Sequence, residues 1–400
     1  MANFTLLHAL LGGGLLLTGA TCTLRPGQDA VLVIREGGTY SGRYVSSSSE
    51  QACVRVETTE PVVLDGCELR GPGRLIDATA GGSHLTVRNC RAYGAPQTAD
   101  NQAQGRFLEV NDGVSLLAEN NYLEHTAGIL VYRWQGDGSA NQSIAVRRNQ
   151  ARNIDGRFRN GGGAKVSFLQ LNDIHGLGNI DISWNEVINE PDQSMVEDNI
   201  NLHNTSGTST SPLRVHHNYI QGAYPVPATA PKFTGSGITT DGDASSAQLT
   251  TAYVEAFENV VVSTCNAGMN IAAGHHNRFH HNRIISSGLL AGGTHLPSSY
   301  AGMAIFNAYE TAATVFFANQ VTDNTIGFVS WGRRSPYLDR HDLSTDACAA
   351  CTGTIHLPAP ITLQTEAREH AAWQQNLHKY QVRLGAGKPL QTAASRRLTN

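Results

Sequence analysis

His217-Asn218-Tyr219-Ile220-Gln221 is one copy of a motif that recurs along this 400-residue chain. Each copy places a residue of variable type before an Asn and follows it with mostly β-prone side chains. The other copies centre on Arg88-Asn89, Asn120-Asn121, Arg148-Asn149, Trp184-Asn185, Glu258-Asn259, His281-Asn282 and Ala318-Asn319. Successive copies lie 23 to 41 residues apart. A base turn near 23 residues, lengthened by loop insertions, accounts for that range, and self-similarity at such a period is the mark of a solenoid. Asn recurring at one turn can stack its amide on the copies above and below.

A second motif follows the Asn: a small residue, then strict alternation. It reads Gly128-Ile129-Leu130-Val131-Tyr132, Gly163-Ala164-Lys165-Val166-Ser167, Asn199-Ile200-Asn201-Leu202-His203, Gly237-Ile238-Thr239-Thr240-Asp241, Gly268-Met269-Asn270-Ile271-Ala272 and Gly302-Met303-Ala304-Ile305-Phe306, with Gly327-Phe328-Val329-Ser330-Trp331 continuing it. Period-two alternation assigns one set to the core and the other to solvent. The outward set forms two columns: Leu130, Lys165, Asn201, Thr239, Asn270, Ala304, and Tyr132, Ser167, His203, Asp241, Ala272, Phe306. The expected fold is an all-β, right-handed parallel β-helix spanning residues 21–345, with an N-terminal cap and a 346–400 capping tail that contains a helix.

Composition agrees. The chain is Gly-rich, with 41 glycines, and only 16% of its residues are charged. Its net charge of -4 argues against a nucleic-acid binder. The apolar run Leu6 to Leu17 before Thr18-Gly19-Ala20 reads as a signal peptide over residues 1–20, implying a secreted or periplasmic protein; Cys22 leaves a lipid anchor as a minor branch. No other segment could span a bilayer, and a monomer is expected. Cys67 and Cys90 lie 23 positions apart, one uninterrupted turn, so they should be neighbours, bonded in an exported protein. Cys348 and Cys351 suit a local disulfide.

The Asn ladder, the turns near 23 residues and the early rung Val63-Leu64-Asp65-Gly66-Cys67-Glu68-Leu69 resemble the pectate-lyase-like β-helix superfamily, over roughly residues 30 to 345. That superfamily holds polysaccharide lyases, inverting polygalacturonase-type hydrolases, uronate epimerases and phage tailspike depolymerases. The resemblance implies a polysaccharide partner without fixing the reaction.

The alternation puts Lys165, His203 and Asp241 on three consecutive rungs, roughly 5 Å apart. Connections are longest before Lys165, Asn201, Thr239 and Ala304, as expected of walls around a binding face. For β-elimination on a uronate, Lys165 is the candidate base and His203 or Tyr132 the proton donor, with Asp241 in the same cluster. Asn201 and Asn270, or a Ca²⁺ held by Asp198, Asp241 and Asp243, would neutralise the substrate carboxylate. Arg133, Phe306 and Trp331 are candidate substrate contacts. An inverting hydrolase would instead use a carboxyl pair from Asp198, Asp241 and Asp243. A non-catalytic carbohydrate-binding or adhesin-like module is the third reading, with Tyr132, Phe306 and Trp331 as sugar platforms.

Overall fold

The computed structural model describes residues 30–344 and 350–387. Alternating buried and exposed side chains make short strands, and each turn of the chain supplies one strand to each of three sheets. Every sheet has 11 strands among the described residues, and all are parallel, so each strand pairs with its equivalent one turn earlier and later. The first sheet runs from Leu32–Ile34 to Leu343–Ser344, the second from Gly38–Tyr40 to Cys351–Thr352, and the third from Arg43–Val45 to Ile355–His356. This is the right-handed parallel β-helix expected from the repeat. Its interior is one continuous apolar column in which Leu69, Ile129, Leu171, Leu202, Ile238 and Phe279 are fully buried.

The corner between the second and third sheets carries the Asn column. Asn121, Asn149, Asn185, Asn218, Asn259, Asn282 and Asn324 are buried and linked in series. Asn218 is typical. Its amide donates to Ile182 O at 3.0 Å and to Asn259 Oδ1 at 2.9 Å, and that same Oδ1 accepts the Asn218 backbone N–H at 3.1 Å. One side chain thus satisfies turn groups that the strands cannot reach. The residue before each column member is left-handed: Asn120, Arg148, Trp184, His217, Glu258, His281 and Asp323 all have φ between 53° and 57°.

Two expectations about this column need correction. Asn319 does not belong to it. Asn319 pairs with Asn277 on a separate two-member stack, and Asn324 holds the column position. Asn89 is likewise the left-handed residue, and the column continues upward as Cys90, whose N–H donates to Asn121 Oδ1 at 3.0 Å. Cys67 and Cys90 are neighbours, as their spacing predicts, but meet as two thiols. Hydrogen bonding to Cys67, with burial, holds the Cys90 thiol well above its usual range. The Cys348–Cys351 pairing involves Cys348, which lies outside the described residues, as does the segment read as a signal peptide.

The 17-residue helix Leu363–Lys379 starts at a Thr362/Thr365 capping box and lies along the third sheet. Trp373 packs on Tyr219, Val260 and Val262, and Glu369 grips Arg283 through bonds of 2.6 and 2.7 Å. No helix among the described residues is long and apolar enough to cross a membrane.

Asn218→Ala should cost about 2–5 kcal/mol, because it strands buried donors and acceptors on two neighbouring rungs. Denaturant unfolding of the variant measures this. A loss near zero would mean that the column does not hold the corner.

Candidate functional site

The first sheet presents its outer face to a cavity of about 420 Å³. Register across the strands Leu169–Ile174, Asp198–Thr205, Ser236–Asp241, Ala267–Ile271 and Ala301–Ile305 aligns Gln170, Asn201, Thr239, Asn270 and Ala304 in one column. Asn172, His203 and Asp241 align in the other. The sequence reading therefore has the right columns from Asn201 onward and the wrong rung before it. Gly163-Ala164-Lys165-Val166-Ser167 is loop, and the strand is the next alternating stretch, so Gln170 and Asn172 occupy the places expected for Lys165 and Ser167. Lys165 still reaches the cavity, from its rim.

Lys165 Nζ pairs with Glu197 Oε1 at 3.0 Å, and its side chain is 83% exposed. The Glu197 carboxylate, through that bond and its charge, raises the Lys165 pKa above its usual value. A base needs the reverse, so the ammonium is better suited to pairing with an anion than to taking a proton.

Asp198 is the unusual group. Burial drives its carboxyl up to about 7, helped by the charges of Glu197 and Asp241, although hydrogen bonds from Asn201 and Thr239 oppose the shift. Thr239 Oγ1 donates to Asp198 Oδ1 at 3.0 Å. Asn201 Nδ2 donates to Asp198 Oδ2 at 2.9 Å and to Asp241 Oδ2 at 3.1 Å. Both amide hydrogens are thus committed, and Asn201 bridges the two carboxyls at the cavity wall. Asp241 also accepts from the Gly242 N–H at 3.0 Å and from the Tyr309 hydroxyl. Gly242 sits at φ 138°, where an added Cβ would meet Asn204 Oδ1 at 2.2 Å, so this turn requires glycine.

Tyr309 was missed by the sequence reading. It lies beyond the strand Ala301–Ile305 and folds back over the face. Burial and the bond to Asp241 raise its pKa, which keeps the phenol protonated. Two polar atoms at the cavity are buried with no partner among the described residues: His203 Nδ1 and Asn270 Oδ1. Native interiors rarely leave such atoms unmet, and here both sit where a ligand would lie.

The remaining candidates scatter. Phe306 borders the cavity, 46% exposed. Tyr132 is two rungs away from His203, with the Arg133 guanidinium 4.9 Å over its ring. Arg133 is itself held by Asp112 through bonds of 3.1 and 2.7 Å. Trp331 is not in the column, because Thr325–Phe328 belongs to the third sheet; the first sheet's next strand is Leu343–Ser344. Trp331 lines a neighbouring cavity. Asp243 is turned outward to Asn204, at 3.0 Å, and that bond lowers its pKa. Asp198, Asp241 and Asp243 therefore do not converge on one point, and among the described residues no three His, Cys, Asp or Glu side chains gather as a metal site. The donor set does not fit the Ca²⁺ considered above.

No family model matches the chain, and no curated protein matches it. Solved structures that align with it include two polysaccharide lyases. An alginate lyase determined as a complex with G6 covers 82% of this chain at 11% identity and a TM-score of 0.31. A mannuronic acid specific polysaccharide family 6 lyase from human gut microbiota covers 89% of this chain and 95% of its own, at 12% identity and a TM-score of 0.37. The chain spans 58% of the length of the alginate lyase. The chemistry of the cavity stands on its own residues.

The Asp198 shift has a stability signature. Unfolded, this carboxyl loses its proton near pH 3.9; folded, it does so at about 7. Across that window the unfolded chain releases its proton first, so stability falls as pH rises, the reverse of an ion-paired carboxylate. Asp198→Asn should remove this component, and its melting temperature should decline less than that of the parent between pH 4 and 7.5. Parallel curves would mean that Asp198 is not held neutral.

Proposed function

We propose that this protein cleaves a uronate-containing polysaccharide by β-elimination at the first-sheet cavity. The observation that carries the reading is the Asn201 amide between Asp198 and Asp241. One nitrogen reaches both carboxyls, at 2.9 and 3.1 Å, so the amide stands between them where an inverting pair would hold its water. Elimination needs no such water.

It needs three things that the site can supply. Asp198, neutral below about pH 7, and Asn270, whose amide makes no hydrogen bond among the described residues, can face the substrate carboxylate and stabilise charge developing on it. His203 is the candidate base, because its ring Nδ1 faces the cavity with no partner among the described residues. It takes the proton from the carbon bearing the carboxylate. As the adjacent carbon–oxygen bond breaks, a carbon–carbon double bond forms, and the leaving oxygen receives the proton of the Tyr309 hydroxyl, which turns to it from Asp241. Lys165, charged and at the rim, pairs with the carboxylate of the sugar instead of serving as base. A secreted or periplasmic setting suits such a substrate.

The neutral carboxyl of Asp198 would also suit the acid of a hydrolase, so the assay must separate the two. Incubation with a panel of polyuronates should produce ultraviolet absorbance from unsaturated ends. New reducing ends without that absorbance would overturn elimination in favour of hydrolysis, and binding without cleavage would favour a non-catalytic module.

On the substrate that is cleaved, His203→Ala and Tyr309→Phe should each lower kcat by about 10²–10⁴, with the melting temperature within a few degrees. Lys165→Ala should act mainly on KM. If Lys165→Ala instead lost turnover as severely as His203→Ala, the lysine would return as the base. Activity should also fall as pH rises through about 7, because the neutral Asp198 is lost.

A further inference from the structure

We propose that a second cavity, adjoining the first toward the C-terminal end of the solenoid, grips the continuing chain of the polymer by its carboxylates. The proposal rests on the lyase reading and extends it to the substrate-binding surface. This cavity encloses about 700 Å³ and meets the first at Thr234 and Asn266, which line both. It is walled by the loops entering the strands Ser236–Asp241, Ala267–Ile271 and Ala301–Ile305, and by the segment after Thr325–Phe328. Those loops belong to the same edge that carries Lys165 and Glu197, so the two cavities form one trough along the solenoid.

The lining chemistry differs between the two ends. The first cavity sets one cation, Lys165, against Glu197 and Asp241, so it has no excess positive charge to draw in a polyanion. The second holds two exposed cations, Lys232 and Arg333, neither with a carboxylate partner among the described residues. Arg333 stands 5.4 Å over the Tyr300 ring, which fixes its direction without neutralising it. Trp331 is rigid: its indole N–H donates to Gly288 O at 2.9 Å, and His295 stacks on its ring at 3.6 Å. Unpaired cations beside immobilised aromatic rings match a sugar ring that carries a carboxylate, the ring meeting the apolar wall and the charge meeting the guanidinium or ammonium. The attraction for an acidic polymer thus lies beside the reacting centre.

The test uses full-length protein in a His203→Ala background, which prevents turnover. Hexamers of galacturonate, glucuronate and mannuronate are titrated calorimetrically, each beside its carboxyl-reduced, neutral counterpart. For the acidic hexamer that binds, Lys232→Ala and Arg333→Ala should each weaken affinity about two- to fivefold and together about tenfold. The reduced hexamer should be unaffected, and the double variant should lose most of the salt dependence of the acidic hexamer. In the active enzyme, the double variant should raise KM for the hexamer and leave kcat unchanged. Undiminished affinity for the acidic hexamer in the double variant would overturn this inference and leave the lyase reading intact. Failure of every acidic hexamer to bind the parent, with binding of a neutral one, would overturn both.

Discussion

A single side-chain amide per turn sets the geometry on which everything else in this molecule depends. Parallel strands bond well along their length, but every corner leaves donors and acceptors pointing along the solenoid axis with no strand to meet them. The buried column from Asn121 to Asn324 fills that gap, each amide bridging the turn behind it and the turn ahead. Because the column tolerates no slippage between rungs, outward residues on consecutive turns are held in fixed register. His203 faces Asp241 for that reason, and Asn201 can reach carboxyls from two different rungs.

That rigidity leaves the loops free to differ. Long insertions enter the first sheet at successive turns without disturbing the core, and together they bury Asp198 beside Glu197 and Asp241. Burial, helped by the neighbouring charges of Glu197 and Asp241, pushes the Asp198 carboxyl up to about 7. The site is thus a product of the loops acting on side chains that the sheet has already aligned.

Much of this was legible from the chain itself. Six members of the Asn column were identified correctly, because Asn followed by β-prone residues occurs in few other contexts, and the columns from Asn201 onward followed from alternation. The errors share a cause. Alternation has period two, so Gly163-Ala164-Lys165-Val166-Ser167 and the following Phe168-Leu169-Gln170-Leu171-Asn172 fit it equally, and only pairing with Ile129 and Ile200 chooses between them. The same degeneracy accounts for Trp331, whose stretch belongs to the third sheet, whereas Asn319 and Asn324 are confused because each precedes a strand of its own. Tyr309 carried no local signal, since its role comes from a bond spanning 68 residues. Nor could sequence alone reveal that Asn201 is saturated or that Lys165 is clamped by Glu197, because both facts depend on which atoms meet.

The left-handed corner has a consequence for how such a chain can change. A non-glycine residue at φ near 55° ordinarily carries a steric penalty, and most proteins answer it with glycine or Asn. Here the amide that follows offsets the penalty at every turn, so the residue before it is released from that choice. Arg148, Trp184, His217, Glu258, His281 and Asp323 all occupy the same backbone state. The corner is therefore a row of positions with fixed direction and unrestricted chemistry. Trp184 stacks on His217, and Tyr380 from beyond the C-terminal helix closes over both. A single conserved geometry can in this way acquire new surface attachments one turn at a time, with no cost to the scaffold beneath.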